Sequence, residues 1–536
     1  MATHDVTNQP PPLVDYSLLD ANPPLLEALK RAAPHVEAAT RAFGQRVSSE
    51  EVQTWAAEAN RYAPVLRTHD RYGARSDTVD FHPAWHALLA TSVGRGIHAP
   101  WANPSPTAQL ERAADYLMMA EIEAGHGCPV TMTFASIPAL SKEPAVLDAW
   151  REKILSREYD RRFLPVAQKT GALVGMGMTE KQGGSDVRAN TTRAVRDGDA
   201  YRLTGHKWFC SAPMCDAFLM LAQADKGLTC FLVPRFLPDG TKNSIFLQRL
   251  KDKLGNRSNA SSEIELENTW AQRVGDEGRG VPTIIEMASH TRFDCVLGSS
   301  GLMHQALSQA AHHVAHRAAF GHVLAQQPLM RSVVADLAVE SEAATLLALR
   351  LANAYDDPSQ VAFRRIATAV GKYWVCKRAI TQVFEAMECL GGAGYVEESV
   401  MPRLFREAPV NSIWEGSGNV MCLDVLRALN KEPESADALR AELATARGAD
   451  ARYDAFVAKL SDALVRPDEA AARHLVGHIA VALQAAQLLR VGHKDAAAIF
   501  CATRLGEMPG TFGALPAGVA TEVTEALVAR ATPPGF

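Results

Sequence analysis

"GMGMTEKQGGSDV", residues 175–187, is where the chain changes its period. From Pro24 to about Arg162, upstream of it, apolar residues recur at helical spacing. In "SSEEVQTWAAEANRYAPVL", for example, Ser48 or Ser49 stands at a capping position, and Val52, Trp55, Ala56 and Ala59 share a face. Downstream the runs are short and alternating or β-rich, as in "AYRLTGHKWF", "TCFLVPRF" and "SEIELEN", with turn signals at Asp197-Gly198-Asp199 and Pro238-Asp239-Gly240. After Gly280 the helical period returns in runs long enough for a bundle, such as "QPLMRSVVADLAVESEAATLLALRLANAY". A polar joint near Lys431 precedes an Ala-rich helical tail. This order predicts an α+β protein, mainly α. It has an N-terminal helical domain over residues 1–170, a β-domain over 171–280, a helical bundle over 281–430 and a C-terminal helical domain over 431–536.

Bulk properties narrow the function classes. The 536 residues carry 55 basic and 60 acidic side chains, a net charge of -5, so nothing draws the whole chain to nucleic acid or anionic lipid. Nine cysteines, an odd number without a C-x-x-C pair, suggest neither a disulfide framework nor a zinc ribbon, and a reducing cytoplasm fits. The N-terminal stretch lacks the basic and apolar regions of a signal peptide, and no apolar run approaches the ~20 residues that span a bilayer. A cytoplasmic, non-membrane protein is expected.

Three stretches have the residue types for chemistry. In 175–187, glycines allow close backbone approach and Thr179, Ser185 and Asp186 offer polar groups, which suits a phosphate or a polar ring. It is no dinucleotide fingerprint, because Glu180 stands where the third glycine belongs; a tight turn is the competing reading. "GHKWFCSAP", residues 205–213, presents Trp208 for stacking on a planar ring or simply for a core, followed by Cys210 and Ser211. "NSIWEGSGN", residues 411–419, sets one carboxylate, Glu415, among Ile413, Trp414, Gly416, Ser417, Gly418 and Asn419 before a helical run. A helix N-terminus favours an anion, so Glu415 reads either as a neighbour of a phosphate or oxyanion, or as a cap. His304, His312, His313, His316 and His322 crowd one region, but without a carboxylate or third ligand at metal spacing no metal site is expected. Arg249, Lys251, Lys253 and Arg257 read as a charged surface loop.

Taken in order, "MTEKQGGSD", "GHKWFCS", "HRAAFG", "GGAGY" and "NSIWEGSGN" make the chain resemble the acyl-CoA dehydrogenase flavoproteins. That match runs over about residues 110–430. The phrase "EAGHGCPVTMTFASIPAL", the long tail and "PVNSIWEGSGNVMCLDVLRALNK" extend it toward the family's AidB-like, alkylation-response branch. The resemblance implies FAD as cofactor, an acyl-CoA substrate of short or branched chain (isovaleryl-CoA-like), possible double-stranded DNA binding, and a homotetramer. It implies flavin or FAD-phosphate contacts at Met178, Thr179, Gly184, Ser185, Trp208 and the backbone around Cys210 and Ser211. Arg317 and Phe320 would touch the FAD of a neighbouring subunit. The segment holding Ile413, Trp414, Gly416, Ser417, Gly418 and Asn419 would close over the cofactor, with Glu415 as the base.

In such chemistry a thioester acidifies its α-carbon and a positioned carboxylate takes the proton. Ile413 and Trp414 would exclude water and raise the base's pKa, while the helix N-terminus lowers it. Two departures stand out: Cys210 replaces a threonine common in the family, and Lys181-Gln182 replaces a Pro-containing loop, which puts the usual CoA grip in doubt. The tail bears on DNA. Acidic residues slightly outnumber basic ones, yet Arg466, Arg473, His474, His478, Arg490, His493 and Lys494 punctuate two helices as a possible stripe.

Overall fold

The computed structural model describes residues 3–465, 467–506 and 510–535; Arg466 lies outside the described residues. The chain forms two compact units, one of residues 54–104 and 123–294 and one of residues 1–53, 105–122 and 295–536. These units cut across the linear boundaries expected from the sequence. Residues 1–170 are shared between both, and the tail beyond residue 430 belongs with the bundle.

The first unit is built on a seven-stranded sheet. Its path runs from Val174–Gly177 through Ala217–Ala224, Arg193–Asp197, Ala200–Ser211 and Ser261–Val274 to Gly227–Pro234, with Ile245–Leu250 also on Ser261–Val274. Gly227–Pro234 pairs back onto Ala217–Ala224, so the path closes on itself. The turn signals act as read: Gly198 (φ +64°) makes the tight hairpin between Arg193–Asp197 and Ala200–Ser211, and Gly240 (φ +85°) turns the chain ahead of Ile245–Leu250. A hairpin of Val65–His69 and Arg75–Asp80 stands inside the stretch expected to be helical. Its strands are polar and half-exposed, which hid them from a hydrophobic-period reading. The local signal was the Asp70 side chain, which accepts from the N–H of Tyr72 (2.8 Å) and Ala74 (2.9 Å) to close the turn.

The second unit is helical. Pro328–Asp356, Val361–Cys389 and Gly418–Lys431 pack with the tail helix Ala472–Val491, and the long helix Gly280–His316 contributes its part from Cys295 onward. Ala472–Val491 is a core helix: a Cβ added at Gly477 would lie 3.1 Å from the Trp374 ring. Buried charges fasten the tail, since Arg504 and Arg378 both reach Glu340, at 3.1 and 2.9 Å. Arginine charge there outweighs burial and holds the Glu340 carboxyl at about 2. No helix among the described residues is long and apolar enough to cross a membrane.

Candidate functional site

In the strand unit, the loop after Val174–Gly177 is tied down by Glu180. This side chain is fully buried. It accepts from Lys207 Nζ (2.7 Å), Gln182 Nε2 (2.8 Å) and the main-chain N–H of Thr191 (2.7 Å) and Thr192 (3.2 Å). Burial would raise the carboxyl, but the charge of Lys207 and these hydrogen bonds prevail and hold it at about 2. Lys207, also fully buried, gives a second bond to the Leu221 carbonyl (2.7 Å). This knot was missed from sequence, where Glu180 counted as a misplaced glycine and as a letter of the motif "MTEKQGGSD" but not as a buried ion-pair partner.

Around the knot lie the expected cofactor residues. The Thr179 carbonyl accepts from Trp208 N (2.8 Å) and the Met178 carbonyl from Asn190 Nδ2 (2.9 Å), which leaves both side chains half-buried. A Cβ added at Gly184 would sit 2.4 Å from Thr179 Oγ1, so the loop lies directly against that hydroxyl, with Ser185 exposed beside it. Trp208 is not a core residue. It is half-buried, with Lys251 Nζ 3.2 Å from the ring centroid and Lys181 and Arg249 each 5.7 Å away. Lys251 and Arg249 both pair with Glu263, and Lys253 donates to the Asn259 carbonyl, which accounts for this basic run. The Cys210 side chain has no exposed surface, and burial pushes its thiol up to about 12, so a contact from Cys210 to a ligand is left to its main chain. Ser211, half-buried and bonded to Ser261 Oγ (3.0 Å), is the side chain that remains at this strand end.

In the helical unit, the turn at 414–416 joins the short helix Val410–Ile413 to Gly418–Lys431. Glu415 is not the cap, because that position is Ser417, whose side chain makes no capping bond. Instead Glu415 adopts a left-handed backbone (φ +58°), followed by Gly416 (φ +104°). Such a conformation costs a non-glycine residue about 1–2 kcal/mol and is kept where function needs it. The Trp414 indole donates to Asn411 Oδ1 (3.0 Å), and buried Asn411 donates to Ser299 Oγ (3.2 Å). Ile413 is 64 % exposed in this unit, so the expected shielding falls to half-buried Trp414. Gly418 is closely packed: a Cβ there would lie 2.7 Å from Lys377 Cε, so that flexible side chain would have to shift. Asn419 accepts from Arg473 Nε (2.7 Å), a bond to the tail that sequence reasoning did not foresee.

The other expected residues fall elsewhere in the helical unit. Arg317 donates to the Asn8 carbonyl (2.6 Å) at the base of a two-residue hairpin, and Phe320 caps its tip, 95 % exposed with φ +53°. Four of the five histidines are packed or bonded to main chain, with His304 on Glu121 Oε2 (2.9 Å) and the Ala21 carbonyl (3.0 Å), His312 on the Pro11 carbonyl (2.8 Å), His316 on the His312 carbonyl and His313 buried, while His322 is exposed. Among the described residues no group of three or more His, Cys, Asp or Glu is placed to hold a metal ion. The basic stripe is broken. Arg473 and His474 are exposed at one end of Ala472–Val491 and Arg490 at the other, about 25 Å apart by helical rise, with buried Val476, Ile479, Ala480 and Leu483 between.

Comparison with known proteins covers both units. Residues 8–161 match the N-terminal domain of the adaptive response protein AidB, and residues 175–269 and 278–430 match the middle and C-terminal domains of acyl-CoA dehydrogenases. The chain is 45% identical to AidB of Escherichia coli (strain K12) over 516 residues, 95% of each chain. It is 32% identical to acyl-CoA dehydrogenase family member 11 of Caenorhabditis elegans over 437 residues, 76% of this chain and 70% of the relative. The solved structure of Caenorhabditis elegans ACDH-11 in complex with C11-CoA superposes with a TM-score of 0.81 at 25% identity, covering 93% of each chain. The chain therefore belongs to the acyl-CoA dehydrogenase family, in its AidB branch. Members of this family are FAD-dependent flavoproteins. The hydroxyl of Thr179 under a Cβ-free Gly184, the exposed Ser185, and Trp208 ringed by cations form a donor set that fits such a group.

Proposed function

We propose that this protein catalyses α,β-dehydrogenation of an acyl-CoA, with Glu415 as the base. The observation that carries the reading is the left-handed backbone of Glu415 in a turn fixed between two helices, in the segment whose resemblance implies the family's base. When bound, FAD supplies the acceptor for the hydride that leaves the β-carbon. Glu415 takes the α-proton, and its main-chain N–H donates to the thioester oxygen as enolate charge develops there. Half-buried Trp414, held by Asn411, limits water beside the base. Met178, Thr179, Gly184, Ser185, Trp208 and Ser211 of the strand unit hold FAD. In the helical unit the resemblance gives FAD contacts to Gly416, Ser417, Gly418 and Asn419, and Lys377 and Arg473 place two cations beside the start of Gly418–Lys431, where a pyrophosphate is favoured. The exposed Phe320 and its neighbour Arg317 meet the FAD of a second subunit in a homotetramer.

The substrate is a short or branched acyl-CoA of the isovaleryl type, and turnover is slow. The C11-CoA seen with the worm relative sets the long end of the panel to be tried. Anaerobic mixing of the yellow protein with isovaleryl-CoA bleaches the flavin. Glu415→Gln retains FAD and loses bleaching by about 10²–10⁴-fold, the usual contribution of a general base. No bleaching of the wild type by any acyl-CoA from isovaleryl to C11 sinks this reading.

The match of residues 8–161 to an adaptive-response domain favours a second reading, a cytoplasmic flavoprotein that binds double-stranded DNA protectively and whose dehydrogenation is residual. Duplex affinity then falls steeply with salt as phosphate contacts release counterions. Absent or salt-independent binding at low ionic strength removes it.

A further inference from the structure

The helix Val361–Cys389 carries one charge where its spacing calls for an apolar side chain. Lys372 shares a face with Thr368, Val375, Cys376 and Ala379, all buried, and is itself 1 % exposed. Taking an ammonium out of water costs several kcal/mol unless its protons are well used. Two of the Lys372 protons go to main-chain carbonyls, those of Trp414 (2.7 Å) and Gly416. These carbonyls belong to the residues on either side of Glu415. Two consecutive left-handed residues, Glu415 and Gly416, are what bring the flanking carbonyls onto one ammonium.

We propose that Lys372 is a positioning residue for Glu415: its buried ammonium, by bridging the carbonyls of Trp414 and Gly416, locks the left-handed turn that aims the carboxylate and the Glu415 N–H. The functional part of this inference rests on the reading of Glu415 as base. The geometric part does not. A charge-assisted bond to each carbonyl offsets the strain of the turn, whereas a neutral side chain at 372 leaves both carbonyls without that donor and lets Glu415 relax toward ordinary φ. Trp414 is fastened a second time through Asn411 and Ser299, so loss of the clamp frees the Glu415–Gly416 peptide more than the helix before it.

The test uses the full-length FAD-bound protein in three forms, wild type, Lys372→Met and Lys372→Arg, with Lys372→Gln in reserve should the methionine variant fail to fold. Hydrogen–deuterium exchange is read on peptides covering 411–420 and, as control, the core helix Ala472–Val491. In Lys372→Met, exchange rises about tenfold in the first peptide and stays unchanged in the second, and Lys372→Arg recovers most of the protection. In parallel, the limiting rate of anaerobic bleaching by isovaleryl-CoA falls about 10²-fold, while the concentration for half-saturation moves little, because a misaimed base costs rate rather than binding. Unchanged exchange over 411–420, or loss of protection spread equally over both peptides, overturns the clamp. Wild-type bleaching in a variant whose turn has loosened overturns its positioning role. Failure of the wild type to bleach at all counts against Glu415 as base, and the exchange result still decides the clamp.

Discussion

Two glutamates, each beside a buried lysine, are put to opposite uses. Glu180 in the strand unit receives Lys207 on its carboxylate, and the carboxylate collects four further donors from Gln182, Thr191 and Thr192. The charge is consumed by the fold, and its product is a rigid loop against Thr179. Glu415 in the helical unit sits on a backbone that Lys372 holds from both sides, so there the lysine builds the shape of the peptide that presents the side chain. A lysine–glutamate pairing therefore says little about function until it is known which atoms of the glutamate the lysine touches. Strain makes the same distinction: of these two glutamates only Glu415 has φ > 0.

The largest effect that can break this comparison lies at Lys207. Lys207→Met leaves the Glu180 carboxylate buried without its cation, which costs about 3–5 kcal/mol. Denaturant unfolding of the FAD-bound protein measures it, and a loss under about 1 kcal/mol means that Glu180 is not the knot described. A second effect follows from acid. The Glu180 carboxyl is depressed from 4.5 to about 2, so its stabilisation is complete above pH 4.5 and is lost as pH falls from 4.5 toward 2. Glu340 and Glu123, also held at about 2, lose theirs over the same range, so the wild-type profile alone assigns nothing. The difference between wild type and Glu180→Gln isolates the step: the variant is less stable at pH 7, and the gap closes as pH falls through 4.5 toward 2. A gap that stays constant down to pH 2.5 excludes the assignment.

Much of this arrangement was legible in the residues. The change of period at 175–187, the turns at Gly198 and Gly240 and the long bundle helices follow from spacing and turn chemistry, which are local. The hairpin at 65–80 was not legible, because its half-exposed strands are mostly polar and even a buried position, Asp77, carries a charge, so no hydrophobic period shows. The tail was read as a separate domain because Lys431 begins a polar joint, yet Gly477 packs on Trp374 of the bundle, a contact that no local signal carries. At the site, motif order marked Glu415, Thr179 and Gly184, while the burial of the Cys210 side chain was not legible, because alternation along a strand does not say which face is outward. The two lysines left a faint trace, a charge inside an apolar run. At Lys372 the trace was a cation sharing a stripe with Val375, Cys376 and Ala379. Which carbonyls it meets depends on contacts more than forty residues away in the chain.

The smallest expected effect has the opposite sign and is the sharpest. If the fold imposes the left-handed conformation on Glu415, removing its Cβ relieves about 1–2 kcal/mol. A glycine also gains freedom in the unfolded chain, which gives back about 0.5–1 kcal/mol. Comparison with Glu415→Ala removes the carboxylate from both sides of the measurement, because alanine retains the Cβ and its strain. Glu415→Gly is therefore expected to be more stable than Glu415→Ala by about 0.5–1 kcal/mol in denaturant unfolding, although neither variant bleaches. An equal or lower stability means the turn is not under left-handed strain. Repeating the pair in a Lys372→Met background completes the cycle. If the lysine is what enforces the turn, the advantage of glycine over alanine disappears there, since a residue released from the clamp no longer needs φ > 0.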